Sequence, residues 1–192
     1  MRFEDAVALG KSRSDCSSAS IDALVRQVKT LADQKVAGCI VELGSYKCGA
    51  TICLAAATAQ YDEVPRTVYG FDLFGGLPYG ENQEGFQNFA DADFEEIQAA
   101  VASFPNIELV RGLHEETIPV FAKQTIALLF LDSDFYESHR VCLEHLWPLV
   151  SEGGAAIFHD WSFPGVQRAV AENGLSGHPI SDSPNMGIIV KQ

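Results

Sequence analysis

The chain has 192 residues, 13 basic and 26 acidic, for a formal net charge of −13. That length suits one domain, residues 1–192, with an N-terminal arm and helix over 1–36 and a core over 37–192. The charge opposes a nucleic-acid footprint, which needs a basic face, and opposes binding to anionic membranes.

Met1 to Asp5 lacks the basic start and apolar run of a signal peptide, and no apolar stretch approaches membrane-spanning length. The five cysteines form no C-x-x-C pair. Cys39, Cys53 and Cys142 fall on apolar faces and read as core residues, and Cys48 reads as a loop filler. A reducing, cytoplasmic setting fits this usage.

Residues 1–17 carry no clear period and are expected to form a loose arm or a short helix. Ser18 or Ser20 is placed to cap a helix from Ile21 to about Gln34, with Ile21, Leu24, Val25, Val28 and Leu31 at helical spacing. Cys39 to Leu43 reads as a buried parallel strand. Gly44 to Gly49 then leads into a helix of small apolar residues, Ala50 to Ala57. A strand running through glycines into a helix aims backbone N–H groups at a crevice where a ligand can approach. The pattern E-x-G-x-x-x-x-G is neither G-x-G-x-x-G nor a phosphate loop.

Thr67 to Asp72 is a second buried strand, followed by a glycine-containing loop, Leu73 to Pro78, and an excursion over 79–90. A helix is expected from about Asp91 to Phe104, a third strand over Ile107 to Gly112, and a short helix ending at Lys123. Ile126 to Asp132 is the most apolar run and is expected at the centre of the sheet. A helix from Tyr136 to Val150, a turn over Ser151 to Gly154 and a fifth strand, Ala155 to Asp160, come next. Pro164 suits the first turn of a helix reaching about Asn173, and Met186 to Val190 is the final strand.

The alternation predicts an α/β fold: a doubly wound, mostly parallel seven-stranded sheet with helices on both faces. The expected order is 3-2-1-4-5, with an antiparallel last strand at the edge, where Gly187 and the polar end Lys191-Gln192 would fit. Glu42, Asp72, Asp132 and Asp160 all fall at carboxyl ends of strands. In such a sheet those ends line one crevice. One such acid is usually a turn or cap residue, whereas four converging point to a site.

Glu42-Leu-Gly44 with Gly49, then Gly70-Phe-Asp72, resemble the first two motifs of class I S-adenosylmethionine-dependent methyltransferases. Five further stretches occur in order: Asp72 to Pro78, Arg111 to Pro119, Leu131 to Ser138, Gly153 to Trp161 and Gly165 to Val170. Together, over about residues 38 to 172, they resemble the macrocin-type O-methyltransferase family. That resemblance implies a metal-dependent enzyme methylating sugar hydroxyls of natural products.

It also implies roles. Gly44, Ser45 and Gly49 would form the turn under the amino-acid end of S-adenosyl-L-methionine, with Glu42 near its ammonium or, through water, its ribose. Asp72, with Leu73 beside it, would accept both ribose hydroxyls. Gly112, His114 and Glu115 would border the adenine. Asp132 and Asp160 match metal-ligand positions suited to Mg²⁺.

The family's two adjacent aspartates are replaced here by His159-Asp160. Imidazole favours Mn²⁺, Fe²⁺ or Zn²⁺ over Mg²⁺, so His159 is either a ligand to a softer ion or a base. The chain is also short for the family. A small or exposed acceptor, or a lid donated by a second subunit of a homodimer, would compensate. The expected acceptor is a small-molecule vicinal diol, with Asp132 or His159 taking the proton. Metal-free transfer with His159 as base, and cofactor binding without catalysis, are the alternatives.

Of the remaining residues, His139, His145 and His178 read as surface or helix-face positions, and Asp134 as the cap of the following helix, with metal binding the less favoured alternative. Tyr136 and Trp161 either line the acceptor pocket or belong to the core.

Overall fold

The computed structural model describes residues 1–76, 89–121 and 124–192. Helix α1 (Phe3–Arg13) and helix α2 (Ser18–Asp33) precede strand β1 (Cys39–Leu43), helix α3 (Gly49–Tyr61) and strand β2 (Val68–Asp72). Helix α4 (Phe94–Val101), strand β3 (Ile107–Arg111), the one-turn helix α5 (His114–Thr117) and strand β4 (Ile126–Leu131) follow. Helix α6 (Tyr136–Leu146), a 3₁₀ turn (Trp147–Leu149), strand β5 (Val150–Phe158), helix α7 (Pro164–Glu172), strand β6 (His178–Ile180) and strand β7 (Ser183–Val190) complete the chain.

The strands form one seven-stranded sheet in the order β3-β2-β1-β4-β5-β7-β6. The first five are parallel, while β7 runs antiparallel to both β5 and β6. The doubly wound fold and the 3-2-1-4-5 order are therefore as expected. The edge is not. β7 lies inside the sheet, and the three-residue β6, which carries Pro179, forms the border. Gly187 is buried, because the indole of Trp161 lies on it; a Cβ there would fall 2.0 Å from the ring.

Alternation along β1 sorts the two cores. Val41 and Leu43 join Leu129, Leu131 and the inner faces of α6 and α7. Ile40 joins Leu54, Leu128 and the apolar stripe of α2 on the other face. Glu42 shares the face of Ile40 and so points at α3. A third cluster, Ile52, Phe74, Ile97 and Val101, seats α4 beside α3. All six residues of β4 are buried, as the most apolar run should be at the sheet's centre.

Local differences have local causes. Of the two forms expected for the first segment, a loose arm or a short helix, the helix is present: eleven residues packed on α3. The α2 cap is Ser17, whose side chain accepts from the Ser20 N–H. Asp93 caps α4 and so starts it three residues late. Helix α6 stops at Leu146, where Trp147-Pro148 forces a 3₁₀ turn. Ser151 to Gly154 belongs to β5, across an irregularity in its pairing with β4. The excursion expected over 79–90, the end of the loop over 73–78 and the helix reaching 123 lie partly or wholly outside the described residues. Among described residues no helix is long and apolar enough to cross a membrane.

Candidate active site

A cavity of about 260 Å³ opens at the carboxyl ends of β1, β2, β4 and β5. Glu42, Gly44, Ser45, Asp72, Leu73, Gly112, His114, Glu115, Asp132, His159 and Asp160 all line it. This is the point where strand order reverses between β1 and β4, the usual ligand crevice of an open α/β sheet. Gly49 does not line it. It begins α3 against the Ser14 backbone, with no room for a Cβ.

Gly44 ends β1 because nothing larger fits. Its φ is 85°, and a Cβ would come within 1.8 Å of the Asp132 carbonyl oxygen. This contact brings the glycine turn and the end of β4 together. The turn continues through Tyr46 and Cys48, both left-handed. Glu42 is 1% exposed and accepts from the hydroxyls of Thr51 and, at 3.3 Å, Ser45. Burial, partly offset by the Thr51 hydrogen bond, pushes its pKa up to about 8.

Asp72 receives two backbone donors, one on each oxygen. Tyr46 N–H donates at 2.8 Å and Phe74 N–H at 2.7 Å. Each oxygen retains capacity for a hydroxyl. His114 Nε2 lies 3.4 Å from the Phe71 carbonyl, and burial lowers the ring's pKa. Gly112, Leu113 and Glu115 complete that wall.

The opposite wall is ionic. His159 Nδ1 stands 3.0 Å from Asp132 Oδ1 and 3.0 Å from Asp160 Oδ2. Successive strand residues point to opposite faces, so His159 and Asp160 meet Asp132 only because β5 has ended at Phe158 and Asp160 is left-handed, φ 49°. Burial acts to lower the His159 pKa, but the two carboxylates outweigh it and raise it. One ligand atom from each of Asp132, His159 and Asp160 lies within 4.8 Å of the others. Two oxygens and one nitrogen in that spacing fit a divalent ion, and the nitrogen favours Mn²⁺ or Fe²⁺ over Mg²⁺.

Other residues of this site were read differently from sequence or not at all. Asp134 does not cap α6, which makes no side-chain cap. It sits left-handed in the cavity, hydrogen-bonded to Asp160. Burial and then the charges of Asp132 and Asp160 push its pKa up to about 6. Ser14, Asp15 and Cys16, from the link between α1 and α2, also line the cavity. His139 is buried rather than at the surface, stacked on Phe158, with Nδ1 2.9 Å from the Phe135 carbonyl. The spacing of His139 with Leu143 and Leu146 carried that signal. His145 and His178 are exposed. Tyr136 turns to Glu172 and Arg168, and Trp161 packs on Phe158; neither lines the cavity.

Residues 13–176 match the model of the macrocin-O-methyltransferase (TylF) family. The chain is similar to the 8-demethyl-8-(2,3-dimethoxy-alpha-L-rhamnosyl)-tetracenomycin-C 4'-O-methyltransferase of Streptomyces olivaceus, 26% identical over 186 residues, 88% of this chain and 71% of that protein. It is similar to the demethyldecarbamoylnovobiocin O-methyltransferase of Streptomyces niveus, 29% identical over 165 residues, 77% of this chain but only 63% of that protein. The fold matches the solved O-methyltransferase NovP at TM-score 0.81 and 23% identity, covering 94% of this chain and 82% of that chain. On the family match, which spans the five parallel strands and every wall of the cavity, the chain belongs to the macrocin-O-methyltransferase family of O-methyltransferases.

Proposed function

We propose that the protein transfers the methyl group of S-adenosylmethionine to a hydroxyl of a sugar in a small natural-product glycoside, with a divalent ion held by Asp132, His159 and Asp160. The observation that carries this reading is a cavity in which the carboxylate of Asp72 and the cluster of Asp132, His159 and Asp160 flank the turn at Gly44. The sugar acceptor is supported by family membership and by the two relatives, whose names specify a rhamnosyl-tetracenomycin and a demethyldecarbamoylnovobiocin.

The chain's residues divide the task. Asp72 would fix the ribose through its two oxygens, and the wall from Gly112 to Glu115 would border the adenine. Glu42 would face the cationic end of the cofactor, which favours its ionised form. Asp132, His159 and Asp160 would hold the ion, which when bound lowers the pKa of an acceptor hydroxyl and orients it. Both ring nitrogens of His159 are engaged, Nδ1 by the carboxylates and Nε2 by Asn185. The amide N–H donates to Nε2, so Nδ1 carries the ring proton and neither nitrogen has a free lone pair to serve as a base; Nδ1 would give up that proton to hold the ion. Asp134, with a pKa near the working range, is the better proton acceptor.

The test is turnover on a panel of glycosides bearing vicinal diols, followed by mass spectrometry of methylated product and S-adenosylhomocysteine. The reading expects activity that is lost with chelator, restored by Mn²⁺ and removed by Asp134→Asn. Activity undiminished by chelator would overturn the ion's part. A cofactor-binding protein that methylates none of the panel would contradict the proposed acceptor class.

A further inference from the structure

Strands β5 and β7 are antiparallel neighbours, with Phe158 opposite Gly187. Just beyond that pair, β5 turns through His159 and Asp160, while β7 reaches back through Asn185. The Asn185 carbonyl accepts the Trp161 N–H at 3.0 Å, which joins the turn to the sheet. The Asn185 side chain does something separate. Its Nδ2 donates to Asp160 Oδ1 at 3.0 Å and meets His159 Nε2 at 3.2 Å.

This one planar amide therefore touches both residues of the pair from behind. Each presents its other polar atom to the site: His159 through Nδ1 and Asp160 through Oδ2. The arrangement needs support, because a non-glycine residue at the φ of Asp160 is strained and adjacent side chains do not naturally share a side. We propose that Asn185 is the positioning residue of the His159–Asp160 pair, its carboxamide holding both side chains toward Asp132. This deepens the proposed function and rests on its reading of the pair as ion ligands. An amide nitrogen only donates, so His159 Nε2 accepts it and the ring proton of the ion-free protein sits on Nδ1, facing the two carboxylates.

Asn185→Ala and Asn185→Leu remove the amide but keep the backbone carbonyl that pairs with Trp161. The first readout is ¹⁵N NMR of histidine rings in the metal-free protein, with the His159 signals assigned by their loss in His159→Gln. Positioning by Asn185 requires the His159 ring shifts to move in both variants while those of His145 and His178 stay. Unmoved His159 shifts overturn the proposal. The second readout is Mn²⁺ binding by electron paramagnetic resonance, with S-adenosylhomocysteine affinity measured by calorimetry. A change in Mn²⁺ affinity, in either sense, with unchanged S-adenosylhomocysteine affinity supports it, because the amide holds the Asp160 carboxylate and also sets which ring nitrogen of His159 carries the proton. Unchanged Mn²⁺ affinity, or equal loss of both ligands, overturns it. A wild type that binds no Mn²⁺ defeats the ion reading instead, and the ring signals alone then decide the role of Asn185.

Discussion

The thiol of Cys16 donates to Asp132 Oδ2 across 3.2 Å, tying the link between α1 and α2 to the carboxyl end of β4. Burial, the charge of Asp132 and this hydrogen bond together drive the thiol's pKa upward. A thiol held protonated is a poor nucleophile. We expect Cys16 to react with iodoacetamide at pH 7.5 at least about tenfold more slowly than a free thiol, and more slowly still with S-adenosylhomocysteine bound. Mass spectrometry of the labelled peptide checks this. Labelling at the rate of glutathione, indifferent to ligand, would contradict the contact.

Glu42 sets a pH dependence of folding. Its pKa rises from 4.5 in the open chain to about 8 when buried. The folded protein therefore retains a proton that the unfolded chain releases, and stability from this group falls as pH rises from 4.5 toward 8. Compared with Glu42→Gln, the ligand-free wild type should lose melting temperature across that window and run parallel above it. Calorimetric scans that stay parallel from pH 5 to 9 would exclude the shift.

The His159→Asp variant tests the donor set. Replacing the proposed nitrogen ligand with oxygen should shift relative affinity from Mn²⁺ toward Mg²⁺. Competition between the two ions, read by the Mn²⁺ resonance, measures it. An unchanged ratio would place His159 outside the coordination shell.

Gly187→Ala tests the inner position of β7. The added methyl would meet the Trp161 ring, whose Cδ2 and Cε3 atoms lie 2.0 and 2.2 Å from the ideal Cβ. Overpacking of this kind costs about 1–3 kcal/mol. Chemical denaturation should show that loss; a neutral variant would mean the indole moves freely.

The sheet was legible in the sequence because its parallel strands are apolar runs ending in acids, and those ends meet by topology. Asp72, Asp132 and Asp160 needed only that rule to be placed in one crevice. The role of Gly187 was misread, because an isolated glycine in a strand marks either an edge or a close approach, and only the packed indole decides between them. β6 has three residues, one of them proline, and so shows no period. Cys16 and Asn185 reach the site through tertiary packing, α1 on α3 and β7 on β5, which no local pattern encodes. Asp134 shows how a short polar residue before a helix resembles a cap until its left-handed backbone turns it into the cavity.

Calorimetric titration of S-adenosylmethionine into the wild type and Asp72→Ala tests the central claim most directly. Asp72 already fixes Tyr46 and Phe74 through their N–H groups, so its removal loosens the turn and, on the proposed binding mode, would also strand the ribose hydroxyls. The account predicts one site per chain in the wild type and a loss of about 1–3 kcal/mol in the variant. A folded wild type that gives no binding heat at several temperatures, or a variant with undiminished affinity, would contradict it.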